Sequence, residues 1–192
     1  MKSKHVLFCG PSGSGKTTIV SQLIKKFPFL TFSISATTRP KRDWEVDSVD
    51  YYFLSVEDFK KKIANNEFVE YEEVYTGRYY GTLHSEVDRA NAAGKSLIFD
   101  VDVKGGVSLK KKVGDRMKAI FVKPPSIEVL KQRLIKRNSE TSVTLEERIE
   151  RAKSELEYEK HFDYVLINDD LKTAYNEAVN VLNNYYNFTK SK

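Results

Sequence analysis

Cysteine, glycine, proline and long hydrophobic runs are all scarce in this sequence. The 192 residues include one cysteine, Cys9, so no disulfide can form within the chain and a reducing compartment is favoured. Cys9 ends an apolar run at residues 6–9, where a buried and unreactive thiol is expected. That run is too short for the core of a signal peptide or for a membrane span. We therefore expect a cytoplasmic protein.

The nine glycines and five prolines form no linker, and the sequence contains no internal repeat or low-complexity segment. Its length suffices for one sizeable core and is short for two independent ones. The shares of hydrophobic residues (40%) and charged residues (31%) are ordinary for a globular protein. The net charge of +5 fits nucleic acid, an acidic surface or a polyanionic small ligand equally well, so it selects none of them.

Short apolar runs alternate with helical patterns, which is typical of an α/β protein whose mainly parallel sheet is covered by helices. Strands are predicted at residues 6–9, 32–35, 96–101, 119–122 and 164–167. Helices are predicted at residues 16–26, 104–112, 127–137, 145–160 and 171–186. The helix at 145–160 should begin with a capping box of Thr144 and Glu147.

Residues 38–90 depart from this alternation and predict a small α+β insertion. We expect a short strand at 51–54, a helix at 55–65 with Ser55 as its N-cap, and strands at 68–75 and 78–81 joined by a turn. An insertion of this kind usually closes over a ligand, although it can also be an insertion without a binding function.

The sharpest motif is GPSGSGKT at residues 10–17, which matches G-x-x-x-x-G-K-[ST] completely. Its glycines let the backbone curl so that amides point at phosphate oxygens, and the following helix adds the positive end of its dipole. Lys16 would supply a cation for the β- and γ-phosphates, and the Thr17 hydroxyl would ligate Mg²⁺. The alternative is a Gly/Ser turn that binds nothing, but the flanking strand and helix favour nucleotide binding. The predicted ATP-binding residues of this segment are Gly10, Pro11, Ser12, Gly13, Ser14, Gly15, Lys16, Thr17 and Thr18.

This phosphate loop does not by itself name the reaction. A GTPase is disfavoured because no Asn-Lys-x-Asp sequence occurs, and the chain is short for a motor ATPase. Asp100 ends an apolar strand, a position where a carboxylate beside a phosphate loop binds Mg²⁺ directly or through water. The alternative role for Asp100 is capping a turn, and we favour the metal role.

Three further segments carry a family resemblance. Residues 35–42 read SATTRPKR and are followed by Glu45-Val46 and Asp50-Tyr51; residues 70–81 read EYEEVYTGRYYG; and residues 100–102 read DVD. Together with the phosphate loop and the NDD sequence at 168–170, they resemble guanylate kinase, in order along nearly the whole chain. The resemblance implies a P-loop NTPase core, an inserted GMP-binding domain and a helical lid. It also implies an enzyme that phosphorylates GMP, and dGMP as well, with ATP and Mg²⁺.

The resemblance also divides the chain and assigns the GMP site. It implies a core of residues 1–34, 83–125 and 161–192, a GMP-binding insertion at 35–82 and a lid at 126–160. The implied contacts of the GMP phosphate are Arg39, Arg42, Tyr51 and Tyr80, and those of guanine are Ser35, Glu70, Thr82 and Asp102. The chemistry agrees, because ionised carboxylates only accept hydrogen bonds and so complement the N1–H and 2-amino donors of guanine. Adenine would leave these acceptors unpaired.

In the lid the resemblance places Arg137 and Arg148, with Arg133, at the ATP phosphates, and Asn168 and Asp169 near the adenine. Phosphoryl transfer depends mostly on positioning and charge stabilisation, which arginines on a closing lid would provide. The implied catalytic residues are Lys16, Arg39, Arg137 and Arg148. No general base is needed, because the attacking oxygen of the GMP phosphate is already anionic, so no histidine is given a catalytic role. We expect a monomer.

The sequence departs from the family pattern at Trp44 and Ser48, where the family usually has glycine. If those turns require positive φ, the loop must be built differently here. Three other functions stay open. A scaffold domain of guanylate-kinase type would bind phosphopeptides without catalysis, but typically lacks a working phosphate loop. A kinase for AMP or dTMP is disfavoured by Glu70 and Asp102. A nucleic-acid binder would use the lysines at 110–112, which are better explained as a solvated helix end.

Overall fold

Five parallel strands form the central sheet of the computed structural model, which describes residues 3–137 and 144–188 and, of Arg137, only the backbone. The strand order is β2, β7, β1, β8, β9. Their bounds are His5–Cys9 for β1, Leu30–Phe32 for β2, Ser96–Asp100 for β7, Met117–Lys123 for β8 and Tyr164–Ile167 for β9. All five residues of β1 are buried, as its central place and apolar sequence require. The predicted α/β class with a parallel sheet is confirmed.

Helices cover both faces of this sheet, and β1 contributes to the core on each side because its side chains alternate. Val6 and Phe8 belong to the core cluster that includes residues of α1 and α7, whereas Leu7 and Cys9 belong to the cluster that includes residues of α3 and α4. The bounds are Lys16–Lys26 for α1, His84–Ala92 for α3, Val103–Val113 for α4 and Leu171–Tyr185 for α7. The Cys9 thiol is fully buried, and burial raises its pKa well above the ordinary value, in agreement with the expected inert thiol.

A second, four-stranded sheet in the order β4, β3, β6, β5 forms a small lobe at one side of the first. Its elements are β3 (Ala36–Thr37), β4 (Tyr52–Phe53), α2 (Val56–Ala64), β5 (Phe68–Tyr75) and β6 (Arg78–Leu83). The lobe has its own core, in which Phe59 of α2 stacks on Phe68 with ring centroids 4.3 Å apart. Ser55 caps α2 as predicted, its hydroxyl accepting from the Asp58 amide at 3.0 Å.

The helices α5 (Ile127–Arg137) and α6 (Leu145–Leu156) pack against each other as a helical pair. They pack through a small cluster of Leu130, Leu134 and Ala152. The predicted capping box of Thr144 and Glu147 is present at the start of α6. Short 3₁₀ helices follow α4 at Gly114–Arg116 and α6 at Glu157–His161. Within the described ranges, no helix is both long and apolar enough to cross a membrane.

One predicted strand was misplaced, and one helix was not predicted. The strand predicted at 32–35 lies at Leu30–Phe32, because its pairing with β7 ends at Phe32 and the Ile34 amide instead donates to the carboxylate of Glu86. Helix α3 was not predicted, because its inward face carries Glu86, 1% exposed, where a helical pattern would show an apolar residue. Because a charged residue occupies a buried position, the apolar residues of such a helix do not recur at helical spacing in the sequence.

Candidate active site

The loop between β1 and α1 presses so closely on its neighbours that two of its glycines admit no side chain. Gly10 has φ 142°, and a Cβ there would lie 2.3 Å from the carbonyl oxygen of Val122. Gly15 has φ 94°, and a Cβ would lie 2.2 Å from Nδ2 of Asn168. Lys16 bends back over the loop, its Nζ donating to the carbonyl oxygens of Gly10 (2.7 Å) and Pro11 (3.1 Å). The lysine cation therefore lies against the curled backbone of the predicted phosphate loop.

The two predicted metal-binding residues meet at the carboxyl end of the sheet. The Thr17 hydroxyl donates to Oδ2 of Asp100 at 2.5 Å, although β7 and α1 are far apart in sequence. Hard oxygen donors of this kind suit Mg²⁺, which is usually bound by one or two protein groups together with phosphates and waters. Across residues 3–137 and 144–188 there is no group of three or more His, Cys, Asp or Glu residues that could enclose a metal by itself. The pair therefore fits an ion shared with a phosphate.

Arg39 is held rigidly in the small lobe by Glu45. Its Nη1 and Nη2 donate to the two carboxylate oxygens of Glu45 at 2.7 and 2.6 Å, and the guanidinium lies over the rings of Tyr51 (5.0 Å) and Phe53 (5.5 Å). Burial lowers the pKa of Arg39, but the hydrogen bond to Glu45 and the electrostatic effects of Glu45, Tyr80 and Tyr51 together outweigh it and raise the arginine pKa above its ordinary value. The same bond lowers the pKa of Glu45. Both groups stay ionised, and the fork is oriented before any ligand arrives.

Arg42 and two tyrosines extend this cluster. The Arg42 amide donates to Oε2 of Glu45 at 2.8 Å, so the same carboxylate orders both arginines. The rings of Tyr51 and Tyr80 meet edge to face with centroids 6.2 Å apart. Burial raises the pKa of Tyr51 to about 12, so its hydroxyl keeps its proton and can donate to an anion. Two cations and two phenols thus form a compact site for a phosphate group.

Glu70 of the small lobe and Asp102 of the core both approach Gly105, where a Cβ would lie 2.9 Å from Oε2 of Glu70 and 3.4 Å from Oδ2 of Asp102. Glu70 is 4% exposed, and its Oε1 accepts from the Thr82 hydroxyl at 2.8 Å. Asp102 caps α4, its Oδ1 accepting from the amides of Lys104 and Gly105. Burial raises the pKa of Glu70 to about 7; the Thr82 hydrogen bond opposes this and the Asp102 charge adds to it. A buried carboxylate of this kind gains strongly from a ligand that brings hydrogen-bond donors.

The helical pair of α5 and α6 contributes arginines to the neighbourhood of the phosphate loop. Arg148 of α6 donates from Nη2 to the Ser12 hydroxyl of the phosphate loop at 3.1 Å. Arg133 of α5 donates to the carbonyl oxygens of Asn168 (2.9 Å) and Asp169 (3.2 Å). Its Nη1 is buried and has no hydrogen-bond partner in the part of the chain that the structure describes. Arg137 is the last residue of α5, and its side chain lies outside what is described.

Asn168 is built into the phosphate loop instead of facing the cleft. It is 3% exposed, and its Nδ2 donates to the carbonyl oxygen of Ser14 at 2.7 Å. This contact explains the tight approach of Asn168 to Gly15 described above. Asn168 and Asp169 thus follow β9 to the edge of the loop, where their carbonyl groups orient Arg133.

A single cleft of about 620 Å³ joins these groups. Most predicted site residues line it: Gly10, Ser12, Gly13, Gly15, Lys16, Thr17, Thr18, Ser35, Arg39, Arg42, Tyr51, Glu70, Tyr80, Asp100, Asp102, Arg133 and Arg148. Five predicted residues are not among its lining residues: Pro11, Ser14, Thr82, Asn168 and Asp169. Lining residues that the sequence did not single out are Val74, Tyr75, Arg78, Gly81, Val101, Arg151 and Glu155. For Arg151 a signal existed, because it follows Arg148 by three positions on the same helix.

The two departures from the family pattern have different outcomes. Ser48 takes the left-handed conformation itself, with φ 63°, and its amide donates to the Tyr51 carbonyl at 2.8 Å. Trp44 does not have positive φ; it is the third residue of a turn closed by the Glu45 amide and the Arg42 carbonyl at 3.1 Å. Its ring is 74% exposed and lies 5.7 Å from the Arg42 guanidinium. The turn at Trp44 therefore does not require positive φ, whereas the turn at Ser48 does and is made by a serine in the left-handed conformation.

Comparison with known proteins gives one consistent result. A family model described as Guanylate kinase matches residues 2–185. The guanylate kinase of Bacteroides fragilis is 48% identical over 184 residues, which are 96% of this chain and 90% of that protein. The guanylate kinase of Thermotoga maritima is 40% identical over 182 residues, which are 95% of this chain and 87% of that protein. The crystal structure of guanylate kinase from Anaplasma phagocytophilum matches with a TM-score of 0.77 at 25% identity, covering 95% of this chain and 85% of that chain.

Proposed function

This chain belongs to the guanylate kinase family, and we propose how its cleft divides the reaction between two substrates. The protein is an ATP:GMP phosphotransferase, which moves the terminal phosphate of ATP onto GMP to give ADP and GDP. The proposal concerns the residues that perform this reaction, the domains that carry them, the metal ion and the second acceptor dGMP. The single observation that carries it is the shared cleft, which is lined both by the phosphate loop and by Glu70.

Three parts of the chain would have separate tasks. Residues 1–34, 83–125 and 161–192 would be the nucleotide-binding core, residues 35–82 the GMP-binding insertion and residues 126–160 the lid. Separate hydrophobic clusters support this division: Phe59 and Phe68 centre one, and Leu130 and Leu134 another, apart from the clusters of the central sheet. Units with their own cores can move as bodies when substrates bind.

On the ATP side, residues 10–18 would surround the triphosphate and Lys16 would bind the β- and γ-phosphates. Arg133, Arg137 and Arg148 would add positive charge from the lid, and Asn168 and Asp169 would border the adenine. The buried, unpartnered Nη1 of Arg133 supports this role, because a phosphate oxygen would satisfy it. Asn168 would act mainly by holding the loop at Ser14. Thr17 and Asp100 would hold Mg²⁺, which when bound neutralises part of the phosphate charge.

On the GMP side, Arg39, Arg42, Tyr51 and Tyr80 would bind the phosphate as a preformed cluster. Glu70 and Asp102 would accept from N1–H and the 2-amino group of guanine. Ser35 and Thr82 would complete the base site, where O6 accepts from hydroxyl groups. These contacts engage base and phosphate and leave the ribose 2′ position untouched, which supports dGMP as an acceptor. Adenine would leave a buried carboxylate pair without donors, at a cost of about 1–3 kcal/mol for each group.

In the transfer step an oxygen of the GMP phosphate attacks the γ-phosphorus of ATP. The bond from that phosphorus to the β–γ bridging oxygen breaks, and ADP leaves with the electron pair. No proton has to move, because the attacking oxygen is already anionic. Lys16, Arg39, Arg137 and Arg148 would be catalytic by aligning the two phosphates and stabilising charge on the transferred group. Closure of the lid would exclude water and so prevent hydrolysis of ATP.

A coupled assay of ADP release with GMP, dGMP, AMP and dTMP tests the proposal. We expect turnover with GMP and dGMP, and little with AMP or dTMP. Lys16→Met should reduce kcat at least about 100-fold while the thermal unfolding midpoint stays near that of the wild type. Equal turnover of AMP and GMP would refute the base-site assignment, and near-normal kcat in Lys16→Met would refute the phosphate-loop assignment.

We propose in addition that the enzyme acts as a monomer in the cytoplasm. All proposed contacts with both substrates come from one chain, so no partner subunit is needed to complete the cleft. The single thiol suits a reducing compartment. Sedimentation velocity of the purified protein tests the oligomeric state, and a dimer at micromolar concentration would contradict the monomer.

A further inference from the structure

One face of helix α6 touches both sides of the cleft. Arg148 reaches the phosphate loop through Ser12, as described above. Three positions later, Arg151 reaches the small lobe: its Nη1 donates to the carbonyl oxygen of Val74 at 2.5 Å, and its guanidinium lies 4.8 Å from the ring centre of Tyr75. Residues three apart lie on the same face of a helix. A rigid helix therefore connects the end of β5 to the loop that would bind ATP.

The guanidinium of Arg151 is oriented by its own helix. Its Nε donates to Oε1 of Glu155 at 2.6 Å, one helical turn further on. The side chain of Arg151 is 21% exposed and that of Glu155 is 11% exposed, so the ion pair is only weakly screened by solvent. One edge of the planar group is thus occupied by the carboxylate while Nη1 remains aimed at Val74. A lysine has no such fork and could not make both contacts in this geometry.

We propose that Arg151 is a positioning residue that couples the GMP-binding lobe to the lid, so that GMP binding favours the arrangement in which Arg148 meets the phosphate loop. This inference rests on the proposed function of the two lobes. Val74 and Tyr75 follow Glu70 on the same strand, so a ligand that binds Glu70 changes the position from which Arg151 is held. The energetic link is reciprocal: an ATP analogue that orders Arg148 must tighten GMP binding by the same factor.

Such a link would limit the hydrolysis of ATP by water when GMP is absent. A lid that closes on ATP alone would expose the γ-phosphate to hydrolysis, whereas a lid whose closure depends on the GMP lobe assembles the site only when the acceptor is present. Arg151 contacts neither of the proposed substrate sets, since its donors go to Val74 and Glu155. Its contribution should therefore appear in the coupling between the ligands and in kcat, and little in the binding of GMP alone.

Helix α6 offers a matched control. Lys153 forms an ion pair with Glu150 at 2.6 Å on the same helix, but both side chains are more than half exposed and Lys153 does not line the cleft. Lys153→Met therefore removes one positive charge and one helical ion pair without touching the small lobe. Arg151→Met also removes one positive charge and one helical ion pair, here the pair with Glu155, together with the contact to Val74. Tyr75→Leu removes only the ring that lies against the Arg151 guanidinium and leaves the hydrogen bond to the Val74 carbonyl in place.

The experiment measures the dissociation constant of GMP with and without a non-hydrolysable ATP analogue, together with kcat and ADP release in the absence of GMP. In the wild type and in Lys153→Met the analogue should tighten GMP binding by the same factor, about tenfold. In Arg151→Met that factor should fall to near one, kcat should drop about tenfold, and GMP affinity without the analogue should change less than about twofold. Arg151→Lys should not restore the factor, because it lacks the fork.

Three outcomes would overturn the inference. The GMP affinity of the wild type could be the same with and without the ATP analogue, or Arg151→Met could keep the wild-type factor. The third is a loss of GMP affinity in Arg151→Met as large as its loss of kcat. Should Arg151→Met fail to fold, Arg151→Lys replaces it, and the wild-type factor in that variant is equally decisive against coupling. Failure of the proposed function is separate, since it would appear as a wild-type enzyme whose Lys16→Met variant remains active or which prefers AMP.

Discussion

Glu70 makes GMP use depend on pH in a way that can be calculated from its surroundings. Burial raises the pKa of this carboxyl to about 7, so part of the free enzyme carries a protonated Glu70 near neutrality. Only the carboxylate can accept from both N1–H and the 2-amino group of guanine. Apparent affinity is reduced by the fraction of enzyme in the competent form. We therefore expect kcat/KM for GMP to fall as the pH falls through 7.

The expected size follows from that pKa. The ionised fraction of Glu70 is about ten-elevenths at pH 8 and about one-eleventh at pH 6, so kcat/KM for GMP should drop about tenfold between them. Glu70→Gln removes the titrating group, and its own loss of about 1–3 kcal/mol in transition-state binding should not vary with pH. The GMP phosphate, with a second pKa near 6, affects both proteins equally. The wild-type to Glu70→Gln ratio of kcat/KM therefore isolates Glu70.

The assay is initial-rate ADP release at saturating ATP between pH 6 and pH 8. A ratio that stays constant over this range would refute the argument, because it would mean that Glu70 does not titrate where its burial places it or does not contact the base. Calorimetric titration of GMP into both proteins without ATP gives an independent reading. The ratio of the two GMP affinities should show the same tenfold change between pH 8 and pH 6.

The same carboxyl predicts a change in stability with a definite sign. Its pKa is higher in the folded protein than the ordinary 4.5, so the folded state binds this proton more tightly. The contribution is complete below the unfolded pKa and is lost as the pH rises through about 7. Glu70→Gln should therefore be more stable than the wild type at pH 8, by up to about 3 kcal/mol, and the difference should shrink towards pH 5. Urea unfolding at the two pH values measures it.

Further predictions concern three other positions. Gly105→Ala would place a Cβ 2.9 Å from Oε2 of Glu70, so the carboxylate must shift. KM for GMP should rise about tenfold while KM for ATP stays within about twofold. An unchanged KM for GMP would contradict the assignment of Glu70 to the base site. Glu86 accepts from the Ile34 amide, the Tyr52 hydroxyl and Arg89, so Glu86→Gln should lower the free energy of unfolding by about 2 kcal/mol at pH 7. Burial raises the pKa of Glu86, but the hydrogen bonds from Arg89, Ile34 and Tyr52 more than offset this, so the folded pKa lies below the ordinary 4.5. The stability contributed by Glu86 is therefore present above about 4.5 and is lost as the pH falls through the lower folded value. A stability difference that grows at acid pH would be inconsistent with this assignment. Trp44 is the one tryptophan of the sequence and lies over Arg42, so its fluorescence should change on adding GMP and not on adding ATP; a silent response would argue against phosphate binding at Arg42.

Local features were predicted well because their causes are local. The phosphate loop is one contiguous segment between a strand and a helix, and the caps at Ser55 and Thr144 depend on residues within one helical turn. Errors occurred where contacts with segments distant in sequence decide whether and where an element forms. The end of β2 is set by its register against β7, and α3 was missed because Glu86 is buried by partners from two other segments and from its own helix.

The sequence by itself determined the class of fold, the phosphate loop and the family, since each depends on residue types in a fixed order. Only the tertiary structure decided which charged side chains belong to the cleft and which partners orient them. Arg39 is locked by Glu45, Asn168 is built into the phosphate loop, and Arg151 reaches Val74 across 77 residues. An arginine on a helix surface has the same sequence context whether it faces solvent or a carbonyl group of another lobe. The difference arises from burial and geometry, which exist only once the chain has folded.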